Sequence, residues 1–159
     1  MPRLQRGGPV MPAVRRELLR TAGTALLALW LGPLALAADP KVTKGEWRTI
    51  RTVISRQLAA LKAGDASKAF AYASPGIRAQ FGDAQNFMAM VRSAYTPLLD
   101  ARYTEFLEGA VIDGLVVQPL RLIGPDDTVL VALYTLEKQK AGNWRIASCM
   151  LAPSTVRAA

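Results

Sequence analysis

The chain has 159 residues, 51% of them hydrophobic, with 20 Lys and Arg against 12 Asp and Glu, no histidine and one cysteine. Without histidine, Ser-His-Asp and Cys-His nucleophile arrangements and His-containing zinc sites are excluded within one chain. The lone Cys149 excludes an intramolecular disulfide, and the sequence calls for no metal, no cofactor and no catalytic residue.

In chain order, Arg15, Arg16 and Arg20 precede an apolar run from Ala22 to Leu36 that closes on Ala35, Leu36 and Ala37. A basic head, an apolar middle and a small-x-small end are the parts of an export signal, here residues 1–37, cut after Ala37. The run is about fifteen residues, short of the roughly 20 that span a bilayer, and Gly32-Pro33 break it before the cut. Arg15-Arg16 with Leu18-Leu19-Arg20 also resembles a twin-arginine signal, so the secretory and twin-arginine routes both stay open. Met11, just ahead of the basic region, is an alternative start to Met1. The expected location is the periplasm or another exported compartment, with membrane contact only through an uncleaved signal.

Residues 38–159 carry 15 basic and 11 acidic side chains, a net charge of +4, without a Lys/Arg run. A mild, scattered positive charge is not the clustered stripe of a nucleic-acid binder, and no nucleic-acid partner is expected. A chain of this length makes one domain, which buries about two-thirds of its unfolded surface. An exported domain without a disulfide is held together by its core alone.

A polar linker over 38–45 leads into the domain at 46–152, and a tail follows at 153–159. Trp47, Ile50, Ile54, Leu58 and Leu61 recur at three- and four-residue steps, which predicts an amphipathic helix of about four turns ended by Gly64. Asp65 is placed to cap a short second helix carrying Ala69, Phe70 and Tyr72, which Ser74-Pro75-Gly76 terminate. Ile77 and Phe81 give one more turn closed by Gly82. Asp83 can cap a further helix with an apolar face of Phe87, Met90, Val91, Ala94 and Tyr95, stopped by Thr96-Pro97.

From Arg102 the period changes from helical to alternating. Tyr103 to Glu108, Val111 to Ile123, Thr128 to Lys138 and Asn143 to Leu151 read as strands joined by short loops, hence antiparallel hairpins. Pro119, unable to donate to a ladder, argues for a bulge or an edge position within the second run. Helices grouped before a meander predict an α+β domain, with the helices covering one face of a strongly curved antiparallel sheet.

Ser74-Pro75-x-Ile77-x-x-x-Phe81, then Met90-Val91-Arg92-x-x-Tyr95-x-Pro97, then Tyr134 and Trp144-Arg145-Ile146-x-x-Cys149 together resemble a bacterial family, the DUF4864 domain of unknown function. Pro75, Phe81 and Trp144 are the structural residues of that pattern. The resemblance extends to the wider NTF2-like, SnoaL-like group. It implies a cystatin-like cone, a long first helix across a bent sheet enclosing a pocket, and it carries over no catalytic residue.

Four residues are candidates for lining such a pocket: Arg92, Tyr95, Tyr134 and Cys149. Arg92 and Tyr95 lie on the helix expected to roof it, and Tyr134 sits on a strand rich in Val and Leu, where a core tyrosine is the default. Cys149 is three residues beyond Ile146, so a regular strand turns it away from the Trp144 and Ile146 face, whereas a bulge returns it. An acid/base enzyme, such as an isomerase or cyclase, would need Glu105, Glu108 or Asp113 inside the pocket with a raised pKa. The reading that takes precedence is a non-catalytic module binding a small apolar or amphipathic molecule or a partner. The alternatives are that acid/base enzyme and a structural domain presenting its sheet to a second copy as a homodimer.

Overall fold

The computed structural model describes residues 39–154. Arg15, Arg16, Ala35 and Ala37, the residues expected to mark an export signal, lie outside them. Among the described residues no helix is long and apolar enough to cross a membrane.

The first helix, α1 (Lys44–Lys62), starts two residues before the expected domain boundary, because Thr43 and Glu46 form a reciprocal capping box. Its stripe of Ile50, Ile54, Leu58 and Leu61 is buried. Asp65 caps α2 (Ala66–Ala71) by accepting from the Lys68 N–H at 3.0 Å. Ser74 is a beginning and not an end: it caps α3 (Pro75–Phe81), with Pro75 in the first turn. Asp83 caps α4 (Ala84–Ala94) as expected. Thr96-Pro97 stop α4 but open a further short helix, α5 (Thr96–Asp100), since proline is well tolerated in a first turn.

The strands are β1 (Tyr103–Phe106), β2 (Ala110–Ile112), β3 (Leu115–Ile123), β4 (Val129–Lys138) and β5 (Trp144–Pro153). All pairings are antiparallel, in the order β1-β3-β4-β5, with β2 on the same edge of β3 as β1. The run Val111 to Ile123, expected as one strand, is therefore two. Asp113 and Gly114 both have positive φ, 50° and 77°, which makes the two-residue hairpin turn that an Asp-Gly pair favours.

Pro119 sits within the ladder opposite Leu133, without a bulge. Its carbonyl accepts from the Leu107 N–H at 3.1 Å, in the stretch between β1 and β2 where that edge of β3 has no strand partner. A strand residue points its N–H and C=O the same way, so the missing donor falls in this gap.

The fold class is thus α+β, helices on a five-stranded antiparallel sheet, but the strong curl is not there. Sheets bend through bulges. The β3–β4 ladder runs without a register shift, and the single shift lies between Thr135 and Leu136 against the edge strand β5. One bulge at an edge turns that strand without rolling the sheet into a cone.

The core lies between the layers. The α1 stripe meets Phe87, Met88 and Val91 of α4 and the inward rows Leu120, Leu122, Tyr134, Leu136, Trp144 and Ile146. Two glutamines share these inward phases, Gln57 on α1 and Gln118 on β3, and both are buried. Gln118 is fully satisfied: it accepts from Arg51 and donates to the carbonyls of Leu107 and Pro119, tying α1 to the β1–β2 connection.

Candidate functional site

The site begins with the bulge in β5. Ile146 pairs with Leu136 and Ser148 with Thr135, which leaves Ala147 as the extra residue. On the far side of β5, the Ile146 N–H donates to the Tyr72 carbonyl at 3.0 Å and its carbonyl accepts from Ser74 at 2.9 Å, a short parallel bridge. Beyond the bulge the phase inverts. Trp144 and Ile146 are buried before it; after it Cys149 and Leu151 pack on the core while Ser148 and Met150 are exposed.

Cys149 is thereby brought opposite Tyr134. Tyr134 is 1% exposed, and its hydroxyl has no hydrogen-bond partner among the described residues. Burial, and then the neighbouring Cys149 thiol, push its pKa well above 10. The Cys149 thiol is pushed up to about 12, again chiefly by burial. The Tyr134 hydroxyl beside it pulls the thiol the other way. Both groups are neutral, protonated donors near neutral pH.

Tyr95 stands at the joint of α4 and α5 and reaches across to β5, where its hydroxyl donates to the Cys149 carbonyl at 2.6 Å. Its pKa is raised by burial first and by Cys149 second. That bond satisfies a carbonyl of the edge strand and pins the helical joint over β5.

Between these parts lies a cavity of about 470 Å³. Gln57, Leu61, Leu98, Tyr134 and Ile146, all buried, line its inner end. Phe81, Phe87, Met90 and Val91 form apolar walls, and the exposed Gln80, Ala94 and Ser148 stand at its mouth. Phe87 is held between two rings, Phe70 at 5.4 Å and Phe81 edge-on at 5.8 Å. Among the described residues no Asp, Glu, Lys or Arg lines the cavity.

Residues 43–159 match the family described as a domain of unknown function, DUF4864. The chain belongs to the DUF4864 family. No curated protein matches it. In this DUF4864 domain three of the four expected lining residues, Tyr95, Tyr134 and Cys149, come together at the cavity. Arg92 does not. It follows the buried Val91 on the flank of α4, and its long stem carries the guanidinium out to Gly64 at the end of α1. Phe81 is a wall of the cavity, Trp144 is core, and Pro75 is an exposed helix-start residue outside it.

The carboxylates lie elsewhere in the DUF4864 domain. Glu105 pairs with Arg121 at 2.8 Å, Glu108 is exposed, and Asp113 is in the β2–β3 turn. Gln57 was not singled out in the sequence, although its place inside the stripe of Ile54, Leu58 and Leu61 was the signal. Its amide nitrogen donates to the Ala69 carbonyl at 3.3 Å, bracing α2 at the cavity's inner end.

Proposed function

We propose that this protein is an exported, non-catalytic module that takes up a small apolar or amphipathic molecule in the cavity between α1, α3, α4 and β5. The observation that carries the reading is a space of about 470 Å³ with apolar walls, a few polar groups at its inner end and its mouth and, among the described residues, no charged side chain. Small-molecule sites are concave and mostly apolar, with few orienting polar groups, and fall in this range of volume. Acid/base catalysis finds less support, because Glu105, Glu108 and Asp113 are not at the cavity. The test is a titration of the purified protein with butylbenzene, followed by backbone amide shifts. Perturbation centred on residues 90–98 and 146–149 is expected; a spectrum unchanged at ligand saturation overturns the reading.

Export rests on the order of basic, apolar and small residues before position 38, and N-terminal sequencing of the protein from cell fractions tests it. The likeness to NTF2-like and SnoaL-like domains rests on the helices-then-meander order and on a pocket between long first helix and sheet. A second reading, a homodimer, is supported by the sheet face turned away from the helices. There Ile112, Leu115 and Met150 are exposed beside half-buried Val117, Val131 and Leu133, and Glu105 with Arg121 place both charges needed for a self-complementary contact on the same face.

A further inference from the structure

We infer that the molecule held in this cavity is uncharged and enters polar end first, with a hydroxyl or amide N–H that donates to the side-chain amide oxygen of Gln57. This rests on the proposed binding reading and adds the chemical class of the ligand and its direction.

Gln57 is an amide set in an apolar stripe. It is 4% exposed, stands among Ile54, Leu58 and Leu61 on α1, and lines the inner end of the cavity. Its two polar atoms fare differently. The nitrogen donates to the Ala69 carbonyl at 3.3 Å, and the oxygen accepts from no group among the described residues. Nitrogen and oxygen of a planar amide point apart, so the bond to α2 turns the oxygen away from α2. That oxygen is not sealed into the protein, as the Tyr134 hydroxyl is against the Cys149 thiol. The space that Gln57 lines is the cavity.

Native structures pair the large majority of their buried polar atoms, and leucine at position 57 would complete the stripe without asking for a partner. A ligand that reaches this end displaces water, and it keeps its affinity only by returning the donor that water gave. The other polar groups select less. The Tyr95 hydroxyl is committed to the Cys149 carbonyl, and Gln80 and Ser148 stand exposed at the mouth. An apolar body behind the donor then lies along Phe81, Phe87 and Met90.

The lining also limits the donor to a neutral one. An ammonium group would lose its hydration there and find no carboxylate among the described lining residues. A carboxylic acid gives up its proton near neutrality and would set a negative charge against the amide oxygen.

Calorimetric titration with four probes that share one phenylbutyl body tests this: butylbenzene, 4-phenylbutanol, its methyl ether and 4-phenylbutylamine, against the native protein and Gln57→Met. Methionine matches glutamine in length, and the Ala69 carbonyl still accepts from the Tyr72 N–H at 3.2 Å. Gln57→Met should weaken the alcohol by about five- to tenfold, the worth of one neutral hydrogen bond, and leave the ether and butylbenzene unchanged. In the native protein the amine should bind at least about tenfold more weakly than the alcohol. Equal effects of Gln57→Met on the alcohol and the ether, or none on either, overturn the inference and leave the binding reading standing. Tightest binding of the amine overturns the uncharged class. No binding of any probe overturns both. Should Gln57→Met not fold, the carbon resonance of the Gln57 side-chain amide in the native protein decides: a downfield shift with the alcohol and none with the ether supports the inference, and the same shift with both, or none with either, overturns it.

Discussion

At Tyr134 a tyrosine costs more than phenylalanine would. Its ring fills the centre of the inward face, yet its hydroxyl is buried against a thiol without a hydrogen bond. Removing an unpartnered buried hydroxyl returns its desolvation cost, offset by a small loss of packing. Tyr134→Phe is therefore expected to melt within about 1 kcal/mol of the native protein, or above it, in thermal denaturation. A loss well beyond that would mean the hydroxyl holds a protein partner. Cys149 owes its place to the same arrangement. One extra residue, Ala147, sets whether position 149 faces the cavity or solvent.

Among the elements, β5 and α1 bear most of the architecture. Trp144 is buried at the start of β5, with the Lys138 amine 6.0 Å from its ring centre. Trp144→Ala should cost about 3–5 kcal/mol in chemical denaturation, the usual toll of emptying a large aromatic site. The start of α1 is tied to the end of β4 by Lys138 and Glu46 at 2.7 Å. That bond, followed by the Thr43 backbone and side chain, holds the Glu46 pKa at about 2 instead of 4.5. A carboxylate depressed on folding contributes stability that is complete above its unfolded pKa and lost as pH falls. Acid unfolding curves of the native protein should thus steepen between about pH 4.5 and 2, and Glu46→Gln should remove that part of the dependence.

The same elements show what could be read in advance. The period of Ile50, Ile54, Leu58 and Leu61, and the caps Asp65 and Asp83, are local signals, and the helices they predict are present. Local chemistry was also there for the start of α1 in Thr43-x-x-Glu46 and for the β2–β3 turn in Asp113-Gly114, beneath the stronger apolar pattern. The phase of Cys149 was not legible. A bulge is chosen by what pairs on both edges of a strand, and the far edge of Ile146 is bridged by residues 72–74, far away in sequence. Arg92 was misplaced for a related reason: helical spacing fixes where a long side chain begins and not where its charge ends. The sheet's flatter course likewise follows from long-range pairing, which carries one register shift and no second.

For the whole molecule, one sheet face carries the helices and, among the described residues, the other is bare. Light scattering coupled to size exclusion should return a dimer mass if that bare face pairs with a second copy, and Met150→Lys, at a 62% exposed position, should then shift it to monomer. A monomer for the native protein ends the dimer reading and leaves the cavity untouched. The cavity is the centre of the account. A crystal structure of the protein soaked with butyrophenone tests it most directly. The predicted result is butyrophenone inside the cavity with its phenyl ring against Phe81, Phe87 and Met90. A soaked crystal with the cavity closed by its own side chains, or with no butyrophenone in it, would contradict the account.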